Sequence, residues 1–115
     1  MKESDIYSLI SNLADGQVYP DIVPLTPQGQ PQVAPPWITF TFVSQVSGDT
    51  LCGPAEENTS LQVDVYSNTV DESRDLRRQV IASLMPLGFT QMVKTGGYEE
   101  GTGLRRATLD VQILD

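Results

Sequence analysis

The side chains that most often carry out catalysis are scarce in this chain. It contains no histidine and a single cysteine, Cys52. Serine and cysteine nucleophiles usually need a histidine to accept their proton, so hydrolytic triads of this kind are excluded. No basic residue lies near Cys52 in the sequence to activate its thiol, and we interpret this residue as structural or incidental. We therefore predict that the protein is not an enzyme and has no catalytic residues.

Metal and cofactor sites are equally difficult to build from these residues. A zinc site would have no imidazole and only one thiolate, and no Asp- or Asn-rich loop with a closing glutamate indicates calcium. Residues 95–103 contain four glycines, but no Gly-Lys-Ser/Thr follows, and Glu99 and Glu100 would repel a phosphate. We predict no metal and no cofactor. This segment is either a solvated hairpin tip or a mobile contact tip in which Tyr98 anchors a protein interface.

Charge is distributed unevenly along the sequence. Fifteen acids and seven bases give a formal charge of −8, which argues against tight binding of a nucleic-acid backbone. Residues 1–66 hold eight acids and one base, whereas residues 67–115 hold seven acids and six bases. One interpretation is a solvated surface with no partner. The other is a homo-oligomer in which copies meet head to tail, the acidic half of one against a basic patch of the next.

Three arginines of the second half, Arg74, Arg77 and Arg78, have the i, i+3, i+4 spacing of one helix side. Such a group usually forms a solvated face, and the alternative is that it bridges to the acids of a neighbouring copy. Three acids of the first half fall in the loop after the central strand. The candidate subunit or tube interface residues are Arg74, Arg77, Arg78, Asp49, Glu56, Glu57, Tyr98, Glu99 and Glu100.

Residues 37–46 predict the central strand, because apolar Ile38 and Phe40 alternate with Thr39 and Thr41. Residues 61–66 show the same alternation and predict a strand antiparallel to it. Residues 89–94 and 104–114 predict two closing strands. A brief strand is predicted at residues 18–19, before a proline-rich loop over residues 21–36.

Apolar spacing predicts two helices. The first covers residues 6–13, with Ser4 and Asp5 as caps and Gly16 after its end. The second begins at a capping box of Thr69 and Glu72 and extends to about residue 85.

We predict a single domain over residues 1–115, with an α+β fold: a mostly antiparallel sheet of four to five strands and two helices packed on one face. No signal peptide or long apolar run is present, so we expect a soluble protein with no membrane partner.

With these segments placed, the chain resembles the tail-terminator, or tail-completion, proteins of long-tailed bacteriophages and prophages. The resemblance covers nearly the whole length. It rests on the first helix, the Val-Tyr-Pro at residues 18–20, the Pro-Trp-Ile-Thr-Phe at residues 36–40, the Leu-Gln-Val-Asp-Val-Tyr at residues 61–66 leading into the second helix, and the strand at residues 106–112. The length and proline content of residues 21–36 depart from the family pattern.

The resemblance implies a non-enzymatic structural protein of the virion. Such proteins form a ring, commonly a hexamer, on the head-proximal end of the tail tube, after assembly in the host cytoplasm. The ring stops polymerisation of the major tail tube protein and provides the surface that docks the head-completion or connector proteins. DNA is only passing cargo, and an acidic wall would let it slide without sticking.

Two other functions remain open from the residues. The first is another component of the head-tail connector, such as a head-completion or stopper protein. The second is a small ligand-binding regulatory domain, which would need a pocket lined by polar groups.

Overall fold

The computed structural model describes residues 2–47 and 57–114, which form one five-stranded sheet and two α-helices. The elements in chain order are α1 (Glu3–Ile10), β1 (Val18–Pro20), β2 (Trp37–Ser47), β3 (Glu57–Ser67), α2 (Val70–Leu84), β4 (Phe89–Glu99) and β5 (Leu104–Leu114). The strand order is β1-β2-β3-β5-β4. Only the β1–β2 pair is parallel, so the predicted α+β fold with a mostly antiparallel sheet is confirmed.

The main core lies between one face of the sheet and the two helices. Alternate residues of each central strand point to this face, as Phe40, Val63 and Leu109 show. Ile6 of α1 and Val80 of α2 are fully buried against them. Both helices therefore pack on the apolar face, which is the arrangement that the alternation predicts.

The start of α2 is fixed by the polar residues that the sequence indicates. Thr69 accepts a hydrogen bond from the Glu72 amide at 3.1 Å, which satisfies one of the unpaired donors of the first turn. The other half of the capping box differs from the prediction, because the Glu72 carboxylate accepts a hydrogen bond from Ser67 Oγ. Ser67 Oγ in turn accepts from the Thr69 amide, so the hydroxyl links the end of β3 to the helix.

Helix α1 begins earlier and ends earlier than predicted. Its N-cap is Lys2, and the Asp5 carboxylate accepts a hydrogen bond from the Lys2 amide at 2.8 Å. Asp5 is therefore an acid of the first turn instead of a cap residue. The helix ends at Ile10, and a 3-10 turn at Ala14–Gly16, with Asp15 in the left-handed region, leads into β1.

The proline-rich segment before β2 folds over the second face of the sheet. Val23 in this segment packs with Trp37 and Leu104 in a separate buried cluster. The Trp37 ring stacks on Tyr66 with a centroid distance of 5.5 Å. The segment is thus a cover for one end of the open face.

The glycine-rich segment is mostly strand, which corrects the prediction of a mobile hairpin tip over residues 95–103. β4 continues through Gly96 and Gly97 to Glu99, and Gly97 pairs with Arg106 of β5. Glycine lacks a side chain but keeps its backbone hydrogen bonds, so the ladder with β5 supports the strand despite its low propensity. Only residues 100–103 form the turn.

The described residues were compared with the requirements of a membrane span and of a metal site. None of the helices in the described ranges is long and apolar enough to cross a membrane. No group of three histidine, cysteine, aspartate or glutamate side chains able to hold a metal ion is present among residues 2–47 and 57–114. Cys52 lies outside those ranges.

Candidate assembly interface

A cleft of about 550 Å³ lies between the first half of α2 and the ends of β4 and β5 that adjoin the turn. We call it the basic cleft. It is lined by Val70, Ser73, Arg74, Arg77, Lys94, Thr95, Gly96, Gly97, Tyr98, Arg105, Arg106 and Ala107. Five of the seven bases of the chain are in this lining, and no acid is. A chain of net charge −8 thus collects its positive charge in one concave surface.

Small residues create the hollow. Ser73 on α2 and Ala107 on β5 are both almost completely buried at its floor. Gly96 of β4, which pairs with Ala107, adds no side chain. Larger residues at these three positions would fill the space between helix and sheet, so the cleft follows directly from the small side chains beneath its charged rim.

Arg77 joins the two walls of the cleft. Its Nη1 donates to the backbone oxygen of Thr95 on β4 at 2.7 Å and to that of Thr108 on β5 at 3.3 Å. Burial, and secondarily the positive charge of Arg74, lower the pKa of Arg77, which remains a cation at neutral pH. This arginine therefore ties α2 to both strands of the hairpin, in addition to contributing positive charge.

The other rim cations are free to meet a partner. Within the described parts of the chain, Arg74 and Lys94 make no hydrogen bond and no ion pair, and both are exposed. The Arg105 guanidinium lies 4.6 Å from the centre of the Tyr98 ring, in a cation–π contact. Tyr98 is 53% exposed, so this contact leaves an aromatic surface at the mouth of the cleft.

Arg106 is held within its own molecule. Its Nη1 donates to Glu99 at 2.9 Å, and its guanidinium lies over Gly97, where an added Cβ would be only 3.0 Å from Nη2. A larger residue at position 97 would displace that guanidinium. Burial and then the charge of Asp64 raise the pKa of Tyr66, and the nearby Arg106 acts in the opposite direction. These contacts fix the end of the hairpin beside the cleft.

The opposite side of α2 carries the opposite charge. A second hollow, which we call the acidic flank, is lined by Asp15 of the turn before β1 and by Glu72 and Asp75 of α2. None of its lining residues is basic. A single helix therefore separates a positive concave surface from a negative one.

The open face of the sheet is polar. The Asp64 carboxylate accepts hydrogen bonds from Thr108 Oγ1 at 2.6 Å and from Gln62 Nε2 at 3.0 Å. Burial, with the charge of Asp64 as the second cause, raises the pKa of Asp110. By strand alternation, Arg106 is the only base on this face among the described strands, and Glu99 neutralises it.

The structure separates the predicted interface residues into groups. Arg74, Arg77 and Tyr98 come together at the basic cleft. Arg78 is outside it, with its side chain 75% exposed and paired to Asp75 at 2.8 Å. Glu99 pairs with Arg106, and Glu100 is exposed in the turn. Glu57 begins β3, while Asp49 and Glu56 lie outside the described residues.

Sequence reasoning did not single out Lys94 or Arg105, which it counted only among the six bases of residues 67–115. A signal was present, because Lys94, Gly96 and Tyr98 alternate in the manner of one strand face. The two glycines indicate a turn instead, and the predicted strand therefore ends at residue 94. Their pairing with β5 is a long-range contact that no local pattern reveals.

Comparison with known proteins identifies the family. Residues 8–114 match the family described as Tail completion protein gp17. The chain belongs to this family. The tail-completion resemblance found in the sequence is therefore confirmed, and the protein is a structural component of phage-like tails.

A solved structure supports the same fold for this tail-completion protein. A chain of the structure titled "Virion of native gene transfer agent (GTA) particle" superposes with a TM-score of 0.54 over 97% of this chain and 84% of that one. The two sequences are 13% identical, so the likeness concerns the fold alone. No curated protein sequence matches the chain.

Proposed function

We propose that this tail-completion protein assembles as a hexameric ring on the head-proximal end of the tail tube. The ring stops addition of tube subunits and offers the surface on which head-completion or connector proteins dock. Membership in the tail-completion family over residues 8–114 is the observation that carries this proposal. The protein acts by shape and surface charge, and its proposed partners are copies of itself, the major tail tube protein and the connector.

Two features of the molecule support a closed ring. A ring needs a heterologous contact, in which one surface of each copy meets a different surface of the next. The basic cleft and the acidic flank are two such surfaces, opposite in charge and separated by α2. A two-fold dimer would have to turn both surfaces of each copy toward one partner, which their positions on opposite sides of α2 disfavour.

The negative charge of the chain also fits the passage of DNA through the ring. The polar open face carries Asp64 and Asp110, and its one base in the described strands is neutralised by Glu99. A surface of this kind repels phosphate and gives DNA no cation to hold it. DNA is accordingly proposed as cargo and not as a bound ligand.

The proposal is tested with polymerising tail tubes. Purified tube protein is allowed to elongate, this protein is added at increasing molar ratio, and tube lengths are measured by electron microscopy. We expect elongation to stop and a gold-labelled copy to mark one end of each tube. Labelling of DNA-filled heads in place of tubes would assign the protein to the head-completion or stopper class, and unchanged elongation without end labelling would refute the terminator function.

A further inference from the structure

We propose that the basic cleft of one copy receives the acidic flank of the next copy, and that this charged contact is the interface that closes the ring. The inference rests on the proposed ring function and supplies the residues that would build it. Arg74, Lys94 and Arg105 are the cations offered by one copy. Asp15 and Asp75 are the principal acids offered by the other.

Charge complementarity selects a second copy as the occupant. The cleft rim has cations with no acid among its lining residues, and the described chain leaves Arg74 and Lys94 without hydrogen bonds or ion pairs. Like charges this close repel one another, and Arg74 and Arg77 lie three residues apart on the same side of α2. An acidic partner would relieve this repulsion, and each copy carries such a partner on the other side of α2.

The positions of the two surfaces also favour a closed ring of copies over a two-fold dimer. Both surfaces use α2: Arg74 and Arg77 reach toward β4, whereas Glu72 and Asp75 reach toward the turn before β1. A copy docked through its acidic flank still exposes its own basic cleft. The contact can therefore repeat from copy to copy until the ring closes.

Charge reversal at each surface, alone and together, tests the contact. The cleft variant is Arg74→Glu/Arg105→Glu, and the flank variant is Asp15→Lys/Asp75→Lys. Self-association is measured by sedimentation equilibrium at low salt, after urea unfolding has shown that each variant folds. We expect each variant alone to weaken association by about tenfold or more, because like charges then face each other across the interface.

The variant that carries all four substitutions should regain association, since its reversed cleft and reversed flank again have opposite signs. An equimolar mixture of the cleft variant and the flank variant should also associate, because every contact in an alternating ring is then complementary. Added salt should weaken the wild-type contact, as expected for partly exposed ion pairs. If the charge-reversed cleft variant is too unstable to measure, the neutral variant Arg74→Gln/Arg105→Gln takes its place. We expect it to lose association to an intermediate degree.

A control of equal net charge separates the contact from general repulsion. Lys2, Gln28 and Gln30 are exposed and line neither the cleft nor the flank, so Lys2→Glu/Gln28→Glu/Gln30→Glu changes the net charge by the same amount as the cleft variant. We expect association within about twofold of wild type for this control. Equal losses in the control and in the cleft variant would overturn the inference.

The remaining outcomes are also decisive. A wild-type protein that stays monomeric at every concentration in low salt, or a fourfold variant that folds without regaining association, refutes the contact. Loss of binding to a labelled DNA duplex in the cleft variant, with unchanged self-association, would assign the cleft to phosphate and also refutes it. If wild type stops tube elongation in any of these cases, the ring-capping function stands and only this interface fails. If the copies associate through the cleft but tube elongation is unchanged, the interface stands and the ring-capping function fails.

Discussion

Asp110 is the residue whose ionisation should affect the stability of the fold most directly. Its folded-state pKa is raised by burial and then by Asp64. A raised pKa means that the charged carboxylate destabilises the fold above that pKa. This penalty decreases as the pH falls through the folded pKa, and it is gone below the pKa of the unfolded chain, about 3.9.

We therefore predict that Asp110→Asn increases the free energy of unfolding at neutral pH, by less than about 1 kcal/mol because solvent screens this partly exposed group. The gain over wild type should disappear as the pH is lowered to about 4. Urea unfolding across this range provides the measurement, with Gln112→Glu on the same strand face as a converse variant that should lose stability at neutral pH. A gain that stays constant with pH would rule out the electrostatic cause.

Trp37 is the residue that secures the proline-rich segment to the sheet. It is 3% exposed, packs with Val23 and Leu104, and stacks on Tyr66. We predict that Trp37→Ala lowers the free energy of unfolding by about 3–5 kcal/mol, through lost packing and a residual cavity.

The matched variant Trp37→Phe should cost far less. Within the described residues, the indole Nε1 has no hydrogen-bond partner, so phenylalanine loses contact area but no hydrogen bond. Chemical denaturation of both variants makes the comparison. If the alanine variant were as stable as the phenylalanine variant, the cluster around Trp37 would contribute little to the fold.

At the scale of elements, the contact between α2 and the β4–β5 hairpin depends strongly on Arg77. This side chain supplies hydrogen bonds to backbone oxygens of both strands. We predict that Arg77→Met, which keeps the apolar stem, lowers the free energy of unfolding by about 1–3 kcal/mol. Backbone amides of β4 should exchange with solvent faster than in wild type, as measured by NMR hydrogen exchange.

Arg78→Met is the control for this prediction. Arg78 is one residue further along the same helix, and its single ion pair with Asp75 is exposed, so its loss should change stability by no more than about 0.5 kcal/mol. Equal effects of the two variants would show that α2 and the hairpin are held by apolar packing alone.

The elements that the sequence predicted correctly have local signals. Helix α2 has a cap at Thr69 and an apolar stripe, and β2 and β3 have clear alternation. The extension of β4 to Glu99 has no such signal, because its two glycines indicate a turn and only pairing with β5 makes them strand. The same limit applies to the basic cleft, since its residues come from α2 and a hairpin that starts five residues after that helix ends.

The sequence also predicts that opposite charges of neighbouring copies meet, and it divides those charges by halves of the chain. The sequence assigns the acids to the first half of the chain and the bases to the second. In the fold, Glu72 and Asp75 come from the second half and join Asp15 on the acidic flank. Folding therefore sorts charge by the two sides of α2 instead of by halves of the sequence, which no count along the chain can show.

The whole molecule is a tail-completion protein with an uneven distribution of surface charge. The chain belongs to the tail-completion family, and its fold is shared with a chain of a gene transfer agent virion. Its surface offers opposite charges on the two sides of one helix and a polar, acidic open sheet face. These features support the proposed repeated contact between copies and the proposed passage of DNA.

Cryo-electron microscopy of tail tubes assembled in the presence of this protein would show where its copies bind. We expect one closed ring of copies at a single end of each tube, with the basic cleft of each copy against the acidic flank of the next. Copies distributed along the tube wall, or tube ends that carry no copies, would contradict the claim that this protein terminates the tail.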